Sequence, residues 1–257
     1  MTGRSRIDEI ADQGRSRGVR PWIAVKERLA GHTIQVLAAA TAGAATLQGG
    51  AALHFVYGSP RLSADVDLAG MGARDALEGC GPALARAAEE LLGCPCRWSV
   101  TRVGRLTRGK LSMETDPSRR LVLPVEAYDV PARLPRVDER FGSVEAPEEI
   151  VADKVVASAD RWSRRGTLKT SDLFDLWYLL TCRRVPLPDP ELIAAKRADY
   201  GMAACRPDLG RAARAISPEE LRSALEGILP TEDLARLAET DVLSVAASAL
   251  ERYSDVL

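Results

Sequence analysis

Asp65 and Asp67, two residues apart, are the side chains of this sequence best placed to do chemistry. Residues 63–69 alternate Asp65 and Asp67 against Val66 and Leu68, the period of a strand with one polar face. Residues i and i+2 of a strand project from the same face, with β-carbons roughly 6–7 Å apart. From there both carboxylates can converge on divalent ions held about 3.5–4 Å apart. Mg²⁺ prefers hard oxygen ligands and keeps room for waters and phosphate oxygens. Two acids on one strand face, joined by a third nearby, are what a phosphoryl-transfer site needs. Glu126, on a later predicted strand, is the candidate third metal-side carboxylate, on position alone.

Upstream lies Gly58-Ser59, with Arg61 two residues further. Glycine permits close approach of backbone to a phosphate. A nest of backbone N–H groups and a serine hydroxyl can hold phosphate oxygens. Arg61 adds a planar donor fork suited to a triphosphate. Each piece is common by itself, since Asp-x-Asp usually marks a solvated strand or turn and Gly-Ser a turn. The order helix, Gly-Ser, short gap, strand with Asp-x-Asp is far more specific.

The elements that must position these residues are legible from periodicity. The N-terminus is polar and predicted frayed as far as Gly18. A helix is predicted over 21–40, an extended piece over 46–50, and a short apolar helix over 51–57 stopped by Gly58. Residues 73–92 repeat Leu77, Leu84, Ala88 and Leu91 at helical spacing. Strands are predicted over 97–103 and within 119–129, where Leu121, Leu123 and Val125 oppose Val122, Pro124 and Glu126. Pro124 demotes that strand to an edge or a bulge. Residues 131–141 read as a connection. From Pro147 the pattern is helical, with further helices opening at Ser171-Asp172 and near Pro190, Pro218 and Thr231. Strands first and helices afterwards predict an α+β fold. Residues 1–140 would form a mixed sheet flanked by helices, and residues 141–257 a helical domain completing the cleft.

Composition bounds the function classes. With 257 residues and 46% hydrophobic content the chain buries a sizeable core. A net charge of -1 gives no whole-chain signal for nucleic acid, but Arg102, Arg105, Arg108 and Lys110 cluster, as do Arg161, Arg164, Arg165 and Lys169. The first cluster reads as a solvated loop between strands, or a basic loop near an NTP or an RNA backbone. The odd set Cys80, Cys94, Cys96, Cys182 and Cys205, without a secretory pattern, predicts free thiols in a cytoplasmic setting. Cys94-Pro95-Cys96 lacks a second ligand pair, which speaks against a zinc site. No apolar run is long enough to span a membrane.

The motif Gly49-Gly50-Ala51-Ala52-Leu53, followed by Gly58-Ser59-Pro60-Arg61-Leu62-Ser63-Ala64-Asp65-Val66-Asp67-Leu68, resembles the signature of AbiEii-type nucleotidyltransferases. That family lies within the DNA polymerase β-like superfamily and includes toxins of abortive-infection and toxin–antitoxin systems. The resemblance spans roughly residues 20–180. It continues through Glu149-Ile150-Val151-Ala152-Asp153-Lys154, and Ser171-Asp172-Leu173-Phe174-Asp175-Leu176 is similar to the family's Arg-Asp-x-x-Asp-Leu helix. Ser171 stands where that pattern has Arg, leaving Arg164, Arg165 or Lys169 to replace the charge. The resemblance implies that Gly58 and Ser59 contact phosphates and that Asp65 and Asp67 bind Mg²⁺ or Mn²⁺. It further implies that Lys154 reaches the NTP triphosphate and that Asp172 is an essential acid across the cleft.

Each residue also has a plainer role. Lys154 fits a solvated helix face, Asp172 a helix-start acid, Asp175 a cap or a partner of Arg161, Glu126 an exposed strand acid, and His54 a packed core residue. Joint occurrence in the right order favours function. The expected activity is Mg²⁺-dependent transfer of NMP from an NTP to an acceptor hydroxyl, by a toxin paired with a cognate antitoxin. Glu126 or Asp67 would take the hydroxyl proton. The favoured acceptor is RNA, with the tRNA 3′ end first. A protein hydroxyl, a small molecule, or a catalytically silent scaffold binding RNA or a partner protein stay open.

Overall fold

Period-two alternation in the first half of the chain folds into strands β1 (Thr46–Gln48), β2 (Val66–Ala69), β3 (Cys96–Val103), β4 (Leu106–Asp116), β5 (Arg119–Tyr128), β6 (Pro135–Asp138) and β7 (Gly142–Glu145). A computed structural model describes residues 5–41, 43–116, 119–202, 208–237 and 240–257. Cys205 lies outside them. The strands make one mixed sheet, ordered β3-β4-β5-β2-β1-β7-β6. β2 runs parallel to β5 and antiparallel to β1, and β1 runs parallel to β7.

The chain divides into two compact units, 1–145 with 227–230, and 146–226 with 231–257. The first holds the sheet and helices α1 (Arg6–Ser16), α2 (Pro21–Thr41), α3 (Gly49–Phe55), α4 (Ala73–Gly79) and α5 (Gly81–Leu92). Leu111, Met113, Leu123, Val125 and Ala127 are buried on one sheet face. α4 and α5 pack on that face. The Trp98 ring is wedged between Gly81 of α5 and Gly109 of β4, both too close for a β-carbon. Arg74 of α4 donates to the Thr107 hydroxyl at 3.3 Å. Because paired strand residues share a face, the register puts Arg97, Lys110, Arg108, Glu126 and Asp67 on the other side.

The short segment 227–230 returns to the sheet unit. The Arg20 N–H donates to the Gly227 carbonyl at 2.9 Å, and the Leu62 N–H to the Ile228 carbonyl at 2.8 Å. Ile228 packs against a buried cluster of Val19, Ile23, Ala24 and Leu62.

Several elements differ from the sequence reading. Residues 6–16, read as frayed, are helical, because Ser5 caps the Asp8 N–H and Asp8 and Glu9 complement the helix dipole. The helix predicted over 73–92 is two, broken at Cys80. In a continuous helix the Pro82 ring would clash with the Glu78 carbonyl. Residues 131–141 contain β6 and lead into β7, a hairpin too polar for the pattern to register. Basic residues 102–110 form a tight β3–β4 hairpin rather than a solvated loop. β5 is interior, not an edge. Pro124 is tolerated because β2 pairs with β5 only from Val125 onward.

The second unit comprises α6 (Pro147–Arg165), α7 (Thr170–Trp177), α8 (Pro190–Asp199), α9 (Leu209–Arg214), α10 (Pro218–Leu225), α11 (Thr231–Arg236) and α12 (Val242–Arg252). A π-helical turn, Tyr178–Cys182, follows α7. α6 is the hub, burying Ile150, Val151, Val155, Val156 and Ala159. Glu149 and Asp153, one turn apart on α6, both take the fully buried Lys196 of α8 at 2.9 Å. Tyr253, just past α12, donates to the Pro188 carbonyl at 2.6 Å. No helix among the described residues is long and apolar enough to cross a membrane.

Gly109→Ala is expected to destabilise the chain by about 1–3 kcal/mol, since the indole cannot yield within its wedge. Urea unfolding followed by Trp fluorescence measures it. A midpoint equal to that of the parent would show that the ring is not held there.

Candidate active site

Asp67 lies on β2 with Gln48 of β1 on one side and Glu126 of β5 on the other. Gly49, immediately after β1, turns the chain into α3 at φ +68, a left-handed conformation that favours glycine. A β-carbon there would also sit 3.1 Å from Asp67 Oδ2. Gly50 makes a second close approach, since its β-carbon would lie 2.6 Å from Arg61 Nη2 and 3.1 Å from Ser63 Oγ. The glycine pair thus sets the floor on which Arg61, Ser63 and Asp67 gather.

Asp65 stands in the bend before β2 rather than on the strand. Ser63, fully buried, donates its hydroxyl to Asp65 Oδ1 at 2.9 Å and fixes that carboxylate. Lys26 of α2 is the nearby cation. Burial lowers its pKa, and the Asp65 charge works against that shift. Ser63, Lys26 and the groups around Glu126 were not singled out from sequence. For Ser63 the signal was present, two residues before Asp65 in the quoted motif.

Glu126 is bound on both oxygens. Arg108 of β4 donates from Nε to Oε1 at 3.0 Å, and Tyr128 donates its hydroxyl to Oε2 at 2.9 Å. Burial raises the Tyr128 pKa, and the Asp67 and Glu126 charges raise it further, so the phenol stays a donor. Tyr128 lies two residues beyond Glu126 and hence on the same face.

The donor chemistry here fits a divalent cation. Asp67 and Glu126 are opposite in register, and like charges so placed repel. Hard carboxylate oxygens are the ligands Mg²⁺ prefers, and a cation between them would relieve the repulsion that Arg108 now answers. Among the described residues no three His, Cys, Asp or Glu side chains are already gathered as a metal cage. Glu126 already engages Arg108, which is 53% exposed, and keeps lone pairs free for a further partner.

The Gly58-Ser59 loop is tied down from inside. The Ser59 N–H donates to the Leu53 carbonyl at 2.8 Å, and the Ser59 hydroxyl accepts from the Arg61 N–H at 3.3 Å. Ser59 and Arg61 are buried, and Gly58, with positive φ, is exposed. His54 holds the loop's outer wall, with Nδ1 2.8 Å from the Ser59 carbonyl and Nε2 3.3 Å from Glu27 Oε1. It is a strut between α2 and the loop, in keeping with its reading as a packed residue. Glu27 is held below the usual carboxylate range. Burial opposes this, and the His54 hydrogen bond with the charges of His54, Arg17 and Arg28 outweighs it.

In the helical unit, Lys154 of α6 is buried between two acids of α7. Its Nζ lies 2.6 Å from Asp172 Oδ1 and 2.7 Å from Asp175 Oδ2. The structure therefore brings Lys154 and Asp172 together, and gives Asp175 a partner in Lys154. A solvated helix face does not describe Lys154, whose side chain is 11% exposed. Cys80, Cys94, Cys96 and Cys182 are free thiols. Burial pushes the Cys96 thiol up to about 12 and raises Cys94 as well.

The family described as "Nucleotidyl transferase AbiEii toxin, Type IV TA system" matches residues 35–252. No curated protein sequence matches the chain. Among solved structures, the chain resembles MenT4, a nucleotidyltransferase toxin from Mycobacterium tuberculosis H37Rv. The TM-score is 0.61 at 16% identity, over 99% of this chain and 94% of that one. It also resembles JHP933 from Helicobacter pylori, with a TM-score of 0.53 at 18% identity, over 92% of this chain and 95% of that one. At such identities the likeness establishes a shared fold.

Two outcomes follow from the ion pairs. A carboxylate with lowered pKa contributes stability that is present above its unfolded value, about 4.3, and is lost as pH falls through the lower folded value. The melting temperature of Glu27→Gln should therefore lie below the parent's at pH 6 and converge with it in acid. A constant gap across that range would contradict the pairing. Lys154→Met should cost about 3–5 kcal/mol, because it leaves two buried carboxylates facing each other. Denaturant titration reads this directly.

Proposed function

The chain belongs to the family of AbiEii nucleotidyl transferase toxins of type IV toxin–antitoxin systems, and from that premise we propose that it moves an NMP from an NTP onto an RNA hydroxyl with the aid of Mg²⁺ or Mn²⁺. The tRNA 3′ end is the first candidate acceptor. The observation that carries this reading is the register pairing of Asp67 with Glu126, beside the glycine turn that admits Asp67. Asp65, oriented by Ser63, supplies the further carboxylate.

A bound divalent ion would supply Lewis-acid stabilisation of charge on the phosphoryl oxygens. Asp65 and Asp67 would hold it, with Glu126 joining them. The acceptor oxygen attacks the α-phosphorus, the bond from that phosphorus to the bridging oxygen breaks, and pyrophosphate leaves with the bonding pair. Glu126 or Asp67 accepts the hydroxyl proton. Gly58 presents exposed backbone for the phosphates, while Ser59 and Arg61 fix the loop's shape from beneath. Catalysis is then mostly positioning and electrostatic stabilisation. The family resemblance assigns Lys154 to the triphosphate and Asp172 to its support. The Lys154–Asp172 ion pair is consistent with the second role. A cognate antitoxin and a cytoplasmic site of action complete the reading.

The test supplies each labelled NTP with Mg²⁺ and total RNA to the parent chain, Asp65→Ala and Asp67→Ala. Label should enter RNA with the parent alone, both variants falling by about 100-fold or more. Label on protein instead would make the acceptor a protein hydroxyl. Absence of transfer together with absence of Mg²⁺-dependent NTP binding would reduce the chain to a scaffold.

A further inference from the structure

Resting on the reading that the acceptor is RNA, we propose that the open face of β3, β4 and β5 is the track on which the acceptor's phosphodiester backbone lies. The register draws the line. Arg97 on β3 is paired with Ser112, Lys110 on β4 with Ser99 and Pro124, and Arg108 on β4 with Thr101 and Glu126. Glu126 in turn is opposite Asp67. Residues paired across strands share a face, and diagonal neighbours on it lie about 7–8 Å apart. Arg97, Lys110 and Arg108 therefore step diagonally across the sheet and end at the acids. Arg120, which donates to the Ser112 hydroxyl at 2.9 Å, stands beside the far end of this line.

The charge on the two faces differs. On the helix-covered side, Arg102 is paired with Asp75 and Glu78, and Arg74 with Asp129. On the open side, neither Arg97 nor Lys110 has an ion-pair partner among the described residues, and both are exposed. A sheet that neutralises Arg102 on one face and leaves Arg97 and Lys110 without a carboxylate on the other offers that second face to a polyanion. The hydroxyls of Ser99 and Thr101 lie between them as further donors to phosphate oxygens. The ring of Tyr128, at the acid end of the line, is half-buried with its hydroxyl on Glu126, and recognition is of backbone and shape. Arg108, at the junction, is shared between the track and Glu126.

The experiment uses the full chain and a fluorescein-labelled RNA hairpin with a single-stranded 3′ end and a free 3′ hydroxyl. Anisotropy titrations at several salt concentrations compare the parent, the double variant Arg97→Glu/Lys110→Glu, and the charge-keeping pair Arg97→Lys/Lys110→Arg. Mg²⁺-dependent NTP binding and transfer to the same hairpin are read in parallel. The reversal should weaken RNA binding by about tenfold or more and flatten the salt slope by about 1–2. NTP binding should be unchanged, and the charge-keeping pair should bind RNA like the parent. If the parent labels the hairpin and the reversal variant binds and labels it equally well, the track is wrong and the RNA reading stands. If the parent neither binds nor labels RNA and labels protein instead, both fall together.

Discussion

Two carboxylates held opposite each other on adjacent strands govern the sheet unit. Asp67 and Glu126 are fixed by backbone register, so neither can retreat from the other without breaking the ladder. Like charges so placed oppose folding, and the surrounding groups are arranged to answer that repulsion. Arg108 takes one oxygen of Glu126 and Tyr128 the other. The Tyr128 phenol, kept protonated by burial and by the same negative field, remains a donor. A scaffold that keeps such a pair stores an affinity for positive charge, which is the property a metal-assisted transfer to a hydroxyl draws on.

The helical unit uses buried charge differently. α6 sends Lys154 to α7 and receives Lys196 from α8, each lysine between two acids. Buried ion pairs contribute little net stability but penalise any packing that separates them. They fix which helices meet and in what register. Lys154, Glu149 and Asp153, all within one segment of sequence, thus serve as connectors of the helical unit.

Much of this was legible beforehand because period-two and period-3.6 patterns survive wherever one face is buried. β2, β5, α2, α6 and the helices opening at prolines were read on that basis. The misses have physical causes. β6 and β7 carry too few apolar residues to signal a strand, and β4, unlike the correctly read β3, hides behind the basic residues of 102–110. Pro82 splits a helix whose apolar spacing runs on undisturbed. At the site, the acids and glycines were visible because chemistry restricts them to a short motif. Their supports were not. Lys26, Glu27 and Arg108 lie far in sequence from the groups they support and reach them only in three dimensions, while Tyr128, two residues from Glu126, carries no motif signal. Ser59, read as a phosphate contact, is buried, its hydroxyl and N–H closing the loop.

The return of residues 227–230 to the sheet unit has a consequence for biosynthesis. The Arg20 and Leu62 amides find their acceptors on Gly227 and Ile228, long after the last strand in sequence. During translation the sheet unit cannot seal this edge until Pro230 has left the ribosome, although every strand has long been made. The nascent chain must carry an unfinished first unit while the intervening helices are made, so completion of the acid-bearing half waits on a segment that follows them.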